Sequence, residues 1–211
     1  MPHVLFFQVI VGIFLGFCLV MLSWLFPVNR QVNHSSDLES NSLVAVKQAK
    51  YMQDKALKLE SSLAKTITLV KELEGFRSSA YVDSGGRVVI GYGMSIMNGR
   101  KVRLGDLISE VQAETALREK LQEIQQQILA ASTVELNSNQ LVALTSFTFS
   151  VGIESVFKST LFRKLNAGDF FGAANEFPDW NKAHMGGRLV PLAGLTKRRL
   201  TEKNLFLTAV N

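Results

Sequence analysis

Cysteine and histidine are scarce in this 211-residue chain. The one cysteine, Cys18, lies inside an apolar run, which excludes an intramolecular disulfide and leaves no thiol nucleophile elsewhere in the chain. The three histidines, His3, His34 and His184, are too scattered to form a pattern of metal ligands. The calculated pI is near 9.4, but no nucleic-acid-binding motif accompanies the positive charge. We therefore expect no metal, no cofactor and no nucleic-acid partner.

Charged side chains are absent from residues 4–26, which begin at Val4 and end at Phe26. This run is 23 residues long and has only Gln8 and Ser23 as polar side chains, so it can cross the hydrocarbon core of a bilayer. A cleaved signal peptide would have Lys or Arg before the run and a small-residue cleavage site after it, and neither is present. Residues 1–28 are therefore predicted to be an uncleaved transmembrane anchor in contact with membrane lipid.

Residues 29–64 are predicted to form a linker and a spacer helix. Residues 29–41 are rich in Asn and Ser, which is typical of a solvated linker. From Ala45 to Leu73 the seam residues recur in alternating steps of four and three, which predicts a helix over about residues 38–73, roughly 50 Å long. The seam lacks clear flanking charge pairs, so oligomerisation through it is unsupported.

Two acidic residues stand at the end of this seam. Glu74 is followed by Gly75, a typical helix cap, so Glu74 lies at the negative end of the helix dipole, where the ionised form is disfavoured. Asp83 follows nine positions later, at the start of a predicted hairpin whose turn is residues 84–87. Cleavage of a glycosidic bond requires two such carboxylates. The alternative is a pair of solvated surface carboxylates.

A series of short motifs occurs in a fixed order over residues 65–208. The motifs are Glu74-Gly75, Tyr81-Val82-Asp83, Gly91-Tyr92-Gly93, residues 139–144, 146–152, 159–161, 164–169 and 180–183, and Gly194-Leu195 followed by Arg198-Arg199. In this order they resemble the phage-type lysozymes, glycoside hydrolase family 24.

The resemblance implies an α+β, mostly helical, two-lobed domain in residues 65–211. A small β-hairpin lobe would be joined by a long helix to a helical lobe, with a polysaccharide groove between the lobes. Glu74 would be the general acid and Asp83 the second catalytic carboxylate. Tyr81, Met94 and Ser150 would belong to the substrate-binding surface.

Three positions depart from the family pattern. Val89 stands where the family has a threonine that works with the aspartate to hold the attacking water, and valine cannot hydrogen-bond to water. Met94 replaces a histidine of many members, and Ser150 replaces an asparagine. Since both carboxylates are retained, these departures bear on water activation and leave protonation of the leaving group intact.

The rest of residues 65–211 is predicted to be helical. Residues 110–131 contain no Gly or Pro, which predicts one long helix. Breaks between later helices are expected at Gly152, residues 166–168, Pro178 and residues 186–187. The apolar side chains expected in the core are Phe147, Phe149, Leu161, Leu165, Phe170 and Phe171. Trp180 suits either the core or stacking on a sugar.

Positive charge is concentrated near the C-terminus. Residues 156–211 contain nine Lys and Arg against four Asp and Glu, among them Arg198 and Arg199. A basic lobe would suit an anionic cell-wall polymer.

Three functions agree with these features. The favoured one is a muramidase that hydrolyses the β-1,4 bond between N-acetylmuramic acid and N-acetylglucosamine in peptidoglycan, for phage lysis or cell-wall penetration. The second is a lytic transglycosylase, in which the muramic 6-hydroxyl replaces water and gives 1,6-anhydro products. The third is a membrane-anchored module that binds glycan without cleaving it.

The charges around residues 4–26 leave two candidate locations. Arg30 follows the run and only His3 and the α-amino group precede it, so the positive-inside rule leans towards a cytoplasmic C-terminus. A peptidoglycan enzyme on the host inner membrane would instead have to face the periplasm. A virion membrane need not keep the orientation of the cell membrane, and that location would remove the conflict.

Overall fold

The computed structural model describes residues 34–83, 85–185 and 187–209. This part of the chain contains seven α-helices, one 3₁₀-helix and three two-stranded antiparallel sheets. The chain divides into two compact units, Met1–Lys50 and Tyr51–Asn211. Within the described residues, no helix is both long and apolar enough to cross a membrane. The predicted anchor at residues 4–26 lies outside them.

Helix α1 comprises His34–Glu74. The predicted linker over residues 29–41 is therefore wrong from His34 onward, because a nucleated helix gains a backbone hydrogen bond for each residue it adds, even through Ser and Asn. Residues 41–58 are exposed, whereas Leu63 is buried and Leu59 packs against a core cluster. The packed part of the helix thus begins before the predicted domain boundary at residue 65.

The predicted hairpin after α1 is confirmed. Strand β1 (Arg77–Val82) pairs antiparallel with β2 (Val88–Gly91), and Tyr81 lies opposite Val89. Gly86 adopts the left-handed φ of 80° and donates its N–H to the carbonyl oxygen of Asp83 at 3.0 Å, which closes the turn. A second small hairpin follows, made of β3 (Ile96–Met97) and β4 (Arg100–Lys101).

Helix α2 spans Glu110–Ala131, the bounds that the sequence predicted. It begins with a capping box in which Ser109 and Gln112 satisfy each other's backbone N–H groups. Its buried apolar residues lie on one face at helical spacing and are Ala113, Leu117, Leu121, Ile124 and Ile128. The first three join a small core cluster with residues from α1 and with Tyr92, and the last two join a larger cluster. Helix α2 therefore connects two cores.

The larger core is formed mainly by the C-terminal helices, together with the end of α2. These are α3 (Ser138–Val151), α4 (Ile153–Phe157), α5 (Thr160–Asn166), α6 (Phe170–Ala174), the 3₁₀-helix Phe177–Trp180 and α7 (Ala193–Leu207). Phe147, Leu161 and Leu165 are fully buried there, as predicted. The core prediction is wrong for Phe171, which is 68% exposed. The hairpin of β5 (Lys182–Met185) and β6 (Arg188–Pro191) was not predicted.

Candidate active-site groove

A groove of about 1420 Å³ crosses the part of the molecule where α1, the β1–β2 hairpin, α2 and the end of α3 meet. All six site residues predicted from the sequence line this groove; they are Glu74, Tyr81, Asp83, Val89, Met94 and Ser150. They come from four separate segments of the chain, so the fold brings together side chains that the sequence related only by motif.

Glu74 is the last residue of α1, and its side chain is 24% exposed. Gly75 has φ of 69° and donates its N–H to the carbonyl oxygen of Lys71 at 3.1 Å, which confirms the predicted glycine cap. Nη1 of Arg198 donates to Oε1 of Glu74 at 2.5 Å. The sequence prediction considered the helix dipole and partial burial, and it did not include this contact with Arg198.

Gly93 keeps one side of the Glu74 carboxylate open. A Cβ atom at position 93 would lie 3.5 Å from Oε2 of Glu74, and the backbone there has φ of +82°. Any other residue would be strained by that φ and would place a side chain against the carboxylate.

Glu74 belongs to a cluster of four charged side chains, two of each sign, and the three members behind it, Arg198, Arg199 and Glu202, are buried. Arg198 donates from Nε to Oε1 of Glu202 at 3.2 Å and from Nη2 to the carbonyl oxygen of Ser146 at 3.2 Å. Glu202 is fully buried and also accepts from the Ser146 hydroxyl at 2.8 Å. Nε of Arg199 lies 2.9 Å from Oε2 of Glu202, close enough for an ion pair but not aligned for a hydrogen bond. The guanidinium of Arg199 also stacks on the Phe147 ring, 4.9 Å from its centroid.

Burial perturbs the ionisation of this cluster. It lowers the pKa of Arg199 to about 10, and it raises the pKa of Glu202 against the opposing influence of Arg199 and Arg198. Each charge in the cluster has a partner of opposite sign, so removal of one member would leave another without compensation.

Asp83 is held by its own turn. Oδ1 accepts hydrogen bonds from the backbone N–H groups of Gly85 and Arg87, both at 2.9 Å. Nε of Arg87 donates to Oδ2 at 3.0 Å. Partial burial acts to raise the pKa of Asp83, but the hydrogen bonds from Arg87 and Gly85 and the charge of Arg87 outweigh it and hold the pKa below its usual value. Asp83 is therefore ionised over a wide pH range, as a base or an electrostatic stabiliser requires.

The remaining predicted residues form walls of the groove. Val89 is 1% exposed and presents only a small apolar surface. Tyr81 is half-buried beneath Arg77, whose guanidinium carbon lies 4.3 Å from the ring centroid. Trp180 is half-buried, packs against the larger core and also lines the groove, so the core interpretation holds in part and stacking on a sugar stays a prediction.

The sequence prediction missed the roles of Arg198, Arg199 and Glu202. Both arginines were counted towards a basic surface, and that is wrong for them: Arg198 is 6% exposed, Arg199 is fully buried, and Glu202 pairs with both. The detectable signal was spacing, since Glu202 follows the two arginines by four and three positions on one helix. Among the described residues, no group of three or more His, Cys, Asp and Glu side chains could hold a metal ion.

A mostly helical domain with small antiparallel sheets and a groove whose lining includes Glu74 and Asp83 is the architecture of a lysozyme-like glycosidase. Residues 71–202 match the family model described as phage lysozyme, and the chain belongs to this family. It is 40% identical over 145 residues to the endolysin of Acyrthosiphon pisum secondary endosymbiont phage 1, covering 69% of this chain and 97% of that protein. It is 32% identical over 135 residues to the SAR-endolysin of bacteriophage PS119, covering 64% of this chain and 77% of that protein.

A solved structure of a phage endolysin has the same fold. The endolysin from Escherichia coli O157:H7 phage FAHEc1 superposes with a TM-score of 0.64 at 34% identity, over 69% of this chain and 92% of that one. The family and these endolysins support a peptidoglycan-cleaving, lysozyme-like activity for this chain.

Proposed function

We propose that this chain is a muramidase that hydrolyses the β-1,4 bond between N-acetylmuramic acid and N-acetylglucosamine. The observation that carries the proposal is that Glu74 and Asp83, which lie in different environments, line one groove. Glycoside hydrolysis requires this division of roles between two carboxyl groups.

In the proposed reaction, Glu74 donates a proton to the leaving glycosidic oxygen. The open side left by Gly93 gives that oxygen access to the carboxyl group. Asp83 stays ionised through its backbone hydrogen bonds and orients the attacking water or stabilises the positive charge that develops on the sugar ring. Val89 offers no hydroxyl to help hold the water, so Asp83 performs this task without it.

Val89 also favours a second candidate function. A lytic transglycosylase uses the muramic 6-hydroxyl as the nucleophile and needs no bound water, so an apolar side chain at this position would be no handicap. The third alternative, glycan binding without cleavage, would leave the two differently held carboxylates without a use.

Mass spectrometry of the products released from purified sacculi tests the proposal. Hydrolysis gives reducing muramic ends, and transglycosylation gives 1,6-anhydro ends. We expect reducing ends, released faster by the Val89→Thr variant, because Val89 lines the same groove as Asp83 and the variant would supply a hydroxyl there to help hold the water. Val82→Thr is the matched control, because Val82 lies on the paired strand and is 53% exposed. Anhydro products at an unchanged rate would establish the transglycosylase, and glycan binding with no cleavage would establish the binding module.

We further propose that residues 4–26 anchor the enzyme in a membrane, either the host inner membrane with the domain facing the periplasm or a virion membrane. The apolar run supports this, as does the likeness to a protein named a SAR-endolysin.

A further inference from the structure

We propose that Glu202 is a positioning residue for the general acid Glu74. Glu202 holds the guanidinium of Arg198 and offsets the positive charge that Arg198 presents to Glu74. This inference rests on the proposed function, in which Glu74 donates the proton. Glu202 lies behind Arg198 and does not line the groove, so it would act on Glu74 through its contact with Arg198 and through the balance of charge around the carboxylate.

The geometry fixes Arg198 at three points. One terminal nitrogen donates to Glu74, the other donates to the Ser146 carbonyl oxygen, and Nε donates to Glu202. The side chain of Arg198 is 8% exposed and that of Glu202 is fully buried, so Glu202 is held by protein groups and shielded from the groove. Without the contact to Glu202, the guanidinium would keep only two of its three hydrogen-bond partners. We therefore expect the position of the Glu74 carboxylate to depend on a residue that never meets the substrate.

The charges of the cluster balance. Glu202 is faced by Arg198 and Arg199 from its own helix and by the Ser146 hydroxyl from α3, while Glu74 meets Arg198 from the end of α1. If Glu202 were neutral, Glu74 would be the one negative charge of the cluster opposite the two positive charges of Arg198 and Arg199. The ionised form of Glu74 would then be favoured more strongly, and an acid catalyst must hold its proton before it can donate it.

The test is the pH dependence of cleavage by Glu202→Gln, measured as initial rates at low concentrations of soluble peptidoglycan fragments. A general acid loses activity as the pH rises and it ionises, so the basic limb of the profile should move to lower pH. We expect a shift of about half a unit or more, as for the loss of a nearby charge. A carbon-13 NMR titration of the Glu74 carboxyl should move in the same direction.

Ser146→Ala is the matched control. It removes one hydrogen bond to the same carboxylate without changing any charge, so it should weaken folding and leave the basic limb in place. The double variant Glu202→Gln, Arg199→Gln restores the charge balance with neutral side chains and should bring the limb back towards its original position.

If Glu202→Gln does not fold, Arg199→Gln tests the same charge balance around Glu74. Loss of the positive charge of Arg199 should move the basic limb to higher pH, and an unmoved limb would contradict the inference. A folded Glu202→Gln variant whose limb and carboxyl titration match those of the unmodified protein would overturn the inference. If the unmodified protein fails to cleave peptidoglycan but the carboxyl titration still shifts, the proposed function fails and the electrostatic role of Glu202 stands.

Discussion

Glu74 and Asp83 line the same groove but are held by different kinds of structure. The hydrogen-bond partners of Asp83 lie two and four positions further along the chain, and its ion-pair partner Arg87 has a side chain that is 72% exposed. The partner of Glu74 is 124 positions away, nearly buried, and itself held by the buried Glu202.

This difference has an energetic consequence. An ion pair with one largely exposed member, such as Asp83 with Arg87, contributes little to stability, whereas removal of one member of a buried cluster leaves a charge without compensation. We therefore expect substitutions near Glu74 to affect folding and acid chemistry together. Substitutions near Asp83 should change its ionisation alone.

The largest effect is expected for Arg198→Met. This change leaves the buried Glu202 with one fewer partner and should lower the free energy of unfolding by about 3 kcal/mol or more, measured by urea denaturation. Arg118→Met is the control, because Arg118 pairs with Glu60 on the surface and should contribute about 0.5 kcal/mol. Equal losses of unfolding free energy in the two variants would show that the buried cluster contributes no more to stability than a surface ion pair.

The next effect concerns catalysis. Glu74→Gln keeps the shape of the side chain and removes its proton, so the rate of cell-wall clearing should fall by roughly 10²-fold or more. Glu72→Gln makes the same change two residues earlier on α1, where the side chain is exposed, and should leave the rate unchanged. A Glu74→Gln variant that clears cell walls at the normal rate would remove Glu74 from the role of acid.

A smaller effect is expected at Asp83. Arg87→Ala removes a positive charge that lowers the pKa of Asp83, so that pKa should rise towards its usual value. Asp83 acts in its ionised form, so activity is lost as the pH falls through its pKa, and the acid limb of the profile should move to higher pH. Arg163→Ala, on α5, should leave the limb unmoved. The idea fails if both variants give the same acid limb.

The smallest effect is expected when residues 1–41 are removed. Because Tyr51–Asn211 form one compact unit, residues 42–211 should be soluble and folded, with the melting temperature of the full chain. The full chain should sediment with membranes and require detergent for extraction. Recovery of a soluble product that lacks residues 1–28 would instead show that the N-terminal run is a cleaved signal.

The same contrast explains how much could be predicted from the sequence. The hairpin that carries Asp83 and the bounds of α2 depend on local patterns, namely a Gly-Gly turn between strands and a long stretch without Gly or Pro. The support of Glu74 depends on α7 folding back against the end of α1, and no local pattern records such a contact. The β5–β6 hairpin was missed although Gly186 and Gly187 give a turn signal, because the neighbouring helices favoured a helical interpretation.

The buried cluster has an evolutionary consequence. Two positive and two negative side chains can be exchanged one at a time only through intermediates with an unpaired buried charge, and such intermediates are destabilised. We therefore expect Arg199 and Glu202 to be replaced together, by a neutral or apolar pair, wherever a descendant of this chain loses either one. Glu74 cannot be replaced while it serves as the acid, and Arg198 is its ion-pair partner. Of Arg198, Arg199 and Glu202, we therefore expect Arg198 to be the last to change.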